Sequence, residues 1–138
     1  MKRRLIHITN FDYKRLKRLT VVANEFTYEG PAYINDLNKE LGKAKILRPE
    51  EIPDNVVTMN SKIRIRDLDT GEEMIYTLVF PDEANIDSGK ISIMSPVGTA
   101  ILGYSSGDSV SWPVPGGTCH IKIEEIIYQP ESSGDYDI

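Results

Sequence analysis

The side chains that could carry nucleophilic or metal chemistry are few in this sequence. Its 138 residues include one cysteine, Cys119, and two histidines, His7 and His120. This set is too small for a Cys/His zinc site, and a single cysteine excludes an internal disulfide. Both histidines fall on or beside predicted strands, where we expect structural roles and no nucleophile elbow. These residue types predict a binding protein without a metal or cofactor, rather than an enzyme.

The acidic residues and the glycines also favour a binding protein over an enzyme. Two acidic clusters, at 67–73 and 82–87, fall in predicted turns, and a solvated loop is the usual role of such clusters. A phosphate-binding loop needs a glycine-rich turn from a strand to a helix. Pro115-Gly116-Gly117 instead joins two predicted strands, so this segment predicts a hairpin turn.

The composition is that of an ordinary soluble domain. Apolar residues make up 40% of the chain and charged residues 27%, and a chain of this length can bury roughly two thirds of its unfolded surface. No apolar run approaches the ~20 residues that span a bilayer, and residues 1–7 are too few and too charged for a signal peptide. We therefore expect a cytoplasmic protein with no membrane partner.

Charge is distributed unevenly along the chain. The net charge is −5, yet residues 1–20 carry seven basic residues and one acidic residue, which leaves −11 on the other 118 residues. An acidic body argues against duplex nucleic acid lying along the whole surface. The first predicted helix carries a basic patch, defined as Lys14, Arg15, Lys17 and Arg18. Either contact with phosphate or an acidic partner, or a solvated helix face, is compatible with this patch.

Two amphipathic helices are predicted in the first third of the chain. Asn10 is a candidate N-cap, and apolar residues follow it at spacings of three and four. These residues are Leu16, Leu19, Ala23 and Phe26. The same period restarts after Gly30-Pro31 and runs to Gly42. Since each helix has one apolar stripe to bury, the pair predicts a short antiparallel helical hairpin.

Strand patterns begin at Val56. Four segments show them, at 62–66, 74–80, 110–114 and 118–128. The first two and the last two are separated by turn residues, so each pair predicts an antiparallel hairpin. Apolar residues change parity within the last segment, which predicts a bulge near Glu124 and Glu125.

A short strand at 91–94 and one short helix are predicted between the two hairpins. Ser95 is a candidate N-cap, Pro96 suits the first helical turn, and Gly103 is a stop signal. The polar tail after Pro130 is expected to be loose.

The predicted elements give an α+β fold in three parts. Residues 1–48 form the helical hairpin, a short coiled coil, and residues 49–55 form a linker with two prolines. Residues 56–138 form the domain with a small antiparallel sheet and one short helix. A family resemblance adds an expected fold and an expected partner for this domain.

Five turn motifs in the sheet domain occur in the order found in a known family. They are Asp67-Leu68-Asp69-Thr70-Gly71-Glu72, Asp82-Glu83-Ala84, Gly89-Lys90-Ile91-Ser92-Ile93-Met94-Ser95-Pro96, Ile101-Leu102-Gly103 and Pro115-Gly116-Gly117. Together they resemble the C-terminal domain of the bacterial GreA/GreB transcription factors. The resemblance implies an FKBP-like fold for residues 56–138.

Other segments resemble one branch of this family, the regulators of nucleoside diphosphate kinase. They are Val56-Val57-Thr58-Met59-Asn60-Ser61, Ser95-Pro96-Val97-Gly98, Gly107-Asp108-Ser109, Tyr128-Gln129-Pro130-Glu131 and Gly134-Asp135-Tyr136. That branch has a short helical hairpin, in agreement with the one predicted from periodicity.

The resemblance implies that RNA polymerase is the partner. The FKBP-like domain would dock at the rim of the secondary channel, with the hairpin pointing toward the channel. In the family the docking surface involves an Ile-Ser-x-x-Ser-Pro segment, which predicts a docking segment at residues 91–96. Its members here are Ile91, Ser92, Met94, Ser95 and Pro96. Contact with RNA or DNA within the complex stays open, and no small-molecule substrate is implied.

The sequence departs from the cleavage factors of this family at the predicted hairpin tip. Those factors have a long coiled coil whose tip acids, in a Gly-Asp-Leu-x-Glu-Asn context, help hold magnesium at the polymerase active centre. Here the tip reads Glu25-Phe26-Thr27-Tyr28-Glu29-Gly30, so its candidate residues are Glu25, Tyr28 and Glu29. The departure implies a regulator that occupies the channel and competes with cleavage factors without stimulating cleavage.

Alternative functions stay open at this point. A Gre-like elongation or cleavage factor would have to use Glu25 and Glu29. An FKBP-type peptidyl-prolyl isomerase would need an apolar pocket lined by aromatic side chains. The sequence has one tryptophan and three phenylalanines, which are few for such a lining. The third alternative function is regulation of nucleoside diphosphate kinase levels, either directly or through transcription.

Overall fold

The structure is a computed structural model that describes residues 6–26, 32–114 and 116–134. Its helices and strands in chain order are β1 (His7–Thr9), α1 (Asn10–Phe26), α2 (Ala32–Leu41), β2 (Lys45–Leu47), β3 (Lys62–Asp67), β4 (Glu73–Val79), β5 (Lys90–Ser92), α3 (Pro96–Ile101), β6 (Ser109–Val114), β7 (Gly117–Tyr128) and α4 (Pro130–Ser133). Short 3-10 turns lie at Pro49–Glu51, Pro81–Glu83 and Ile86–Ser88. The described part of the chain is therefore mixed α and β, as the sequence predicts.

The first helix is capped one residue earlier than the sequence predicts. The backbone N–H of Asp12 donates to Oγ1 of Thr9 at 3.2 Å, and Asn10 is already the first residue of α1. Thr9 is thus the N-cap, because its hydroxyl satisfies an N–H that the first turn leaves without a helical partner.

The first two helices contact each other. Nζ of Lys17 on α1 donates to Oδ1 of Asn38 on α2 at 2.9 Å. Three buried leucines of the two helices, Leu16, Leu37 and Leu41, join the common core. Helix α2 ends at Leu41, directly before Gly42, where the sequence predicts a stop.

A small parallel sheet pairs β1 with β2, with Ile8 opposite Ile46. Strand β2 is not predicted from the sequence, because three residues are too few to show a period. This pairing holds the segment before α1 beside the segment after α2.

The main sheet has five strands in the order β5-β4-β3-β7-β6. The β3–β4 and β6–β7 hairpins are antiparallel, as predicted. Strand β5 instead runs parallel to β4, with Thr77 opposite Lys90. The sheet is therefore mixed and not wholly antiparallel, because two 3-10 turns after β4 return the chain to the level of Thr77 before β5 starts.

Strand β7 contains the predicted bulge. Arg64 of β3 is opposite Glu125, and the next residue, Ile65, is opposite Ile123, so the register skips Glu124. The extra residue changes the parity of the strand, which lets Ile123 and Ile126 both pack against the core.

The chain after β7 forms α4 and is not a loose tail up to Ser133. Nε2 of the buried Gln129 donates to the carbonyl oxygens of Pro53 and Val56, both at 2.8 Å. Pro130 then starts the helix with the φ angle that a first turn requires. The sheet part of the molecule therefore has two short helices, α3 and α4, where the sequence predicts one.

One hydrophobic core connects the helices with the main sheet. Its buried members include Ile6, Ile8, Leu16, Leu37, Leu41, Val57, Met59, Ile63, Ile65, Leu78, Phe80, Ile91, Ile93, Ile101, Leu102, Val110, Ile121 and Ile123. Within the described ranges, no helix has the length and apolar character to cross a bilayer. The core positions the two surface features described next, the docking segment and the start of α1.

Candidate functional site

The docking segment is held by hydrogen bonds to its own backbone. Oγ of Ser95 accepts from the N–H of Gly98 at 3.1 Å and donates to the carbonyl oxygen of Ser92 at 2.6 Å. Oγ of Ser92 in turn accepts from the N–H of Met94 at 3.0 Å. Ser95 is therefore the N-cap of α3, as the sequence predicts, and the turn before the helix is fixed in one conformation.

The five docking residues differ in what they present to solvent. Pro96 is exposed, and Ser92, Met94 and Ser95 are half-buried. Ile91 is only 4% exposed and belongs to the core. Ile91 thus holds the segment to the core, while the other four residues are at least partly exposed to solvent.

Gly98 brings α3 very close to β5. A Cβ atom on Gly98 would lie 2.1 Å from the carbonyl oxygen of Ser92. That is far inside van der Waals contact, so only glycine fits at this position without a backbone shift. The close approach fixes the helix against the strand that precedes the docking turn.

The basic patch is divided by the tertiary structure. The guanidinium of Arg15 stacks 3.7 Å from the ring centre of the buried Phe80, and Lys17 donates to Asn38. Lys14 and Arg18 are exposed. Two of the four cations therefore take part in packing, and two are presented to solvent.

The predicted hairpin tip falls largely outside the described residues. Glu25 lies near the end of α1, whose bounds are Asn10–Phe26. Tyr28 and Glu29 lie outside the described residues. The role assigned to these three residues stays a prediction.

An electrostatic feature that the sequence analysis did not single out involves Asp12 and Glu131. Burial, reinforced by the charge of Glu131, raises the pKa of Asp12 from 3.8 to about 7, against the opposing effects of Arg15 and of a hydrogen bond with Thr9. Glu131 accepts from Oγ1 of Thr58 at 2.7 Å. No spacing signal could have found this pair, since its members come from opposite ends of the chain.

The residues that resemble catalytic groups lie on the β6–β7 hairpin and beside it. Oγ of Ser111 and Nδ1 of His120 are 2.7 Å apart in an exposed cross-strand pair. Burial, followed by the charges of Asp67 and Asp69, raises the pKa of the Cys119 thiol. A raised pKa disfavours the thiolate, so this environment does not activate Cys119 as a nucleophile.

One segment has the spacing of a nucleophile elbow. Gly103-Tyr104-Ser105-Ser106-Gly107 matches the Gly-x-Ser-x-Gly pattern, so the expectation that this motif is absent from the sequence is wrong. It joins α3 to β6, whereas the elbow of hydrolases joins a strand to a helix. The N–H of Ser105 donates to Oδ2 of Asp108 at 2.9 Å, which makes this segment a turn.

The acidic turns are arranged for local hydrogen bonding. Oδ1 of Asp67 accepts from the N–H groups of Asp69 and Thr70, at 2.8 and 3.2 Å. Among the described residues, no group of three or more His, Cys, Asp or Glu side chains is placed to hold a metal ion. The docking segment therefore stays a candidate site predicted from the family resemblance.

Comparison with known proteins places the chain in a family. Residues 52–128 match the family model described as "Transcription elongation factor, GreA/GreB, C-term". This range is more than half of the chain and contains the whole docking segment. The chain belongs to the GreA/GreB family. The resemblance drawn from the five turn motifs is confirmed.

Individual GreA/GreB relatives extend the match beyond that range. The regulator of nucleoside diphosphate kinase of Escherichia coli strain K12 is 40% identical over 137 residues, which are 99% of this chain and 98% of that protein. Transcription elongation factor GreA of Helicobacter hepaticus is 40% identical over 98 residues, which are 71% of this chain and 60% of that protein. The similarity to the Escherichia coli regulator therefore includes the N-terminal helices.

A solved structure of a GreA/GreB protein supports the described architecture. The prokaryotic transcription elongation factor GreA/GreB from Nitrosomonas europaea is 39% identical, and the match has a TM-score of 0.75. It covers 91% of this chain and 100% of that chain. The mixed α+β fold is thus shared with a member of the family.

Proposed function

We propose that this protein binds RNA polymerase and regulates transcription by occupying the secondary channel, without stimulating transcript cleavage. The docking segment carries the proposal. It lies inside the range that matches the GreA/GreB family, and the Ser95 hydroxyl holds its turn through bonds to Gly98 and Ser92. A binding loop held in one conformation loses little entropy on association, which favours a specific docking role.

The proposed orientation follows from the family resemblance. Residues 56–138, as an FKBP-like domain, would dock at the channel rim through Ser92, Met94, Ser95 and Pro96. Residues 1–48, as an antiparallel helical hairpin, would enter the channel, with residues 49–55 as the linker. A cytoplasmic location, with no enzyme activity of its own and no cofactor, goes with this proposal.

The absence of cleavage stimulation is proposed from the tip sequence. Holding a magnesium ion at the polymerase centre requires acids at defined positions. The Gly-Asp-Leu-x-Glu-Asn context of the cleavage factors is replaced by Glu25-Phe26-Thr27-Tyr28-Glu29-Gly30. The protein would therefore compete with GreA for the channel without supplying its catalytic acids.

Competition for core polymerase tests the proposal. Increasing amounts of this protein should displace labelled GreA and should slow GreA-stimulated cleavage in a backtracked complex. The Ser95→Ala, Pro96→Ala double variant should compete more weakly. The matched control, Pro81→Ala with Ser88→Ala, changes an exposed proline and an exposed serine outside the docking segment and should compete like the wild type.

Two results would overturn parts of this proposal. Strong cleavage by a backtracked complex in the presence of this protein alone would make it a cleavage factor. Undiminished competition by the folded Ser95→Ala, Pro96→Ala variant would remove the docking role from residues 91–96.

A second candidate function is favoured by the 40% identity, over 99% of the chain, to a protein named for regulating nucleoside diphosphate kinase. Purified kinase assayed with and without this protein distinguishes a direct effect from one through transcription. We expect no change in kinase turnover when polymerase is absent. A change in turnover under those conditions would establish direct regulation.

A further inference from the structure

A cleft of about 480 Å³ lies where the start of α1, strand β2 with its following 3-10 turn, and α4 come together. Asp12 and Glu131 line it with carboxyl groups, and Phe11 and Ile46 line it with apolar side chains. No residue of the docking segment contributes to its wall. The volume is within the range of about 300–1,000 Å³ found for ligand sites.

Asp12, which lines this cleft, has one carboxyl oxygen without a hydrogen-bond partner. Its side chain is one of the most enclosed charged groups described, with the residue only 4% exposed, yet its Oδ1 atom has no hydrogen-bond partner. Buried polar atoms in native proteins are nearly always satisfied, so an exception calls for a physical explanation. The ionised carboxyl group therefore lacks one of the partners that would stabilise its charge, and a cation seated against it in the cleft would supply that stabilisation.

Glu131 adds a second carboxyl group to the same wall. The residue is 8% exposed, and its Oε1 atom already accepts from Thr58. The proximity of its charge to Asp12 is one cause of the elevated pKa of Asp12. Two buried acids that repel each other favour a bound cation, which would relieve that repulsion.

The cations nearest to the cleft do not fulfil this role. Nε of Arg48, at the wall, donates to Glu51 at 3.2 Å and lies 3.4 Å from Glu50. Arg15, which lowers the pKa of Asp12, has its guanidinium 3.7 Å from the ring centre of Phe80 and 5.7 Å from that of Phe11. Neither arginine donates to Oδ1 of Asp12. With Asp12 ionised, the lining has three carboxylates against one guanidinium.

The apolar part of the wall is open to solvent. Phe11 is 61% exposed and Ile46 is 45% exposed. Large apolar side chains with this exposure beside buried carboxyls suit a ligand that has an apolar stem and a charged head. The face of the Phe11 ring already has the Arg15 guanidinium 5.7 Å from its centre, so Phe11 would give the ligand apolar contact.

We propose that this cleft binds the head of an organic cation with N–H donors, with the head on Asp12 and Glu131 and its apolar stem on Phe11 and Ile46. An arginine side chain has this chemistry, as does a free amine or guanidine. The site is separate from the docking segment and does not depend on the proposed function.

Titration with N-acetyl-arginine amide, followed by amide resonances of the protein, tests the proposal at pH 8. The matched control ligand is N-acetyl-citrulline amide, which has nearly the same shape and no charge. We expect the arginine ligand to shift the resonances of Phe11, Asp12 and Ile46, with the citrulline ligand binding at least ten-fold more weakly. Equal binding of the two ligands, or no shift at these residues, would overturn the proposal.

The pH dependence of binding gives a second measurement. Asp12 is the group invoked, and Glu131, Glu51, Arg48 and Arg15 are the charged groups that surround it. With a pKa of about 7, Asp12 is mostly protonated at pH 6, so binding should be roughly ten-fold weaker there than at pH 8. Asp12→Asn should lose both the affinity and this dependence, whereas Asp82→Asn, on an exposed turn, should retain them. An Asp12→Asn variant that binds with wild-type affinity and with the wild-type dependence on pH would also overturn the proposal.

The source of the cation is distinguished by comparing ligands on the wild-type protein. A short peptide with a central arginine that binds at least ten-fold more tightly than N-acetyl-arginine amide would indicate a side chain of a protein partner. Tighter binding of agmatine than of the peptide would indicate a free amine or guanidine. Both results support a cation site, and failure of all three ligands to bind would exclude it.

Discussion

At the scale of single residues, Ser95 and Asp12 illustrate two ways in which a polar side chain near a helix start acts. The hydroxyl of Ser95 both donates to Ser92 and accepts from Gly98, so it satisfies the first turn of α3 and closes the loop before it. Asp12 occupies the first turn of α1, where a negative charge suits the helix dipole. Its burial nevertheless disfavours the charged form, because desolvation is the largest influence on its pKa.

Ser95→Ala should lower the free energy of unfolding by about 1 kcal/mol, because the N–H of Gly98 loses its cap. Ser95→Thr is the matched control, since it retains the hydroxyl and should lose less. Urea denaturation of the three proteins measures the difference. An unchanged midpoint for Ser95→Ala would show that the cap contributes nothing to stability.

Asp12 should make the protein less stable as the pH rises from 4 to 8. Its pKa is raised from 3.8 to about 7 in the folded protein, so the folded state holds the proton more tightly than the unfolded state. The stability that protonated Asp12 contributes is fully present below about pH 4 and is lost as the pH passes through 7. The full shift corresponds to roughly 4 kcal/mol.

The neutral variant Asp12→Asn provides the comparison for this pH effect. The stability of the wild type relative to the variant, measured by denaturation at several pH values, should fall between pH 4 and pH 8. A difference that stays constant over this range would contradict the raised pKa of Asp12.

At the scale of elements, the contact between α3 and β5 decides how the docking segment is presented. The backbone of Gly98 packs against the carbonyl group of Ser92, and a Cβ atom has no room there. At the other end of α3, Gly103 adopts a φ of 86°, which favours glycine, and its backbone lies against Ile6. A glycine in the first turn of this six-residue helix and another just after it thus allow the close approaches to Ser92 and to Ile6.

Gly98→Ala should destabilise the protein by about 1–3 kcal/mol, because the added methyl group overlaps the Ser92 carbonyl. Helix propensity alone predicts the opposite sign, since alanine is favoured over glycine by roughly 1 kcal/mol within a helix. Thermal or urea denaturation therefore distinguishes the two by the sign of the change. A stabilised Gly98→Ala protein would show that α3 can move away from β5 at little cost.

At the scale of the whole molecule, both ends of the described chain return to the same region. Strand β1 pairs with β2 near the N-terminus, and α4 is tied to Val56 and Pro53 by Gln129. The start of α1 and the residue Glu131 consequently face one cleft. The proposed polymerase surface and the proposed cation site are therefore distinct surfaces connected by one core.

The basic patch should act on polymerase binding through Lys14 and Arg18. Both are exposed, so replacing both by glutamine should weaken binding and flatten its dependence on salt, with little change in stability. Replacing Arg15 and Lys17 by glutamine should also reduce stability, because these side chains contact Phe80 and Asn38. Binding to core polymerase at several salt concentrations, alongside urea denaturation, measures both effects. A salt dependence unchanged in the Lys14, Arg18 variant would make the patch a solvated helix face.

Local patterns in the sequence by themselves determined the elements whose signals span a few residues. Apolar spacing located α1 and α2, alternation located β3, and the parity change located the bulge at Glu124. The Ser95 cap followed from its chemistry, because capping bonds join residues three positions apart. The family followed from turn motifs in order, whereas the docking role of residues 91–96 stays a prediction from that family.

Tertiary structure alone decided the features that depend on residues distant in sequence. Strand β2 exists because β1 pairs with it, β5 is parallel because the chain folds back after β4, and α4 is secured by carbonyl groups before β3. The division of the basic patch depends on where Phe80 and Asn38 lie. The burial of Asp12 beside Glu131 likewise comes from packing, since a carboxyl group responds to the solvent and charges around it and not to its neighbours along the chain.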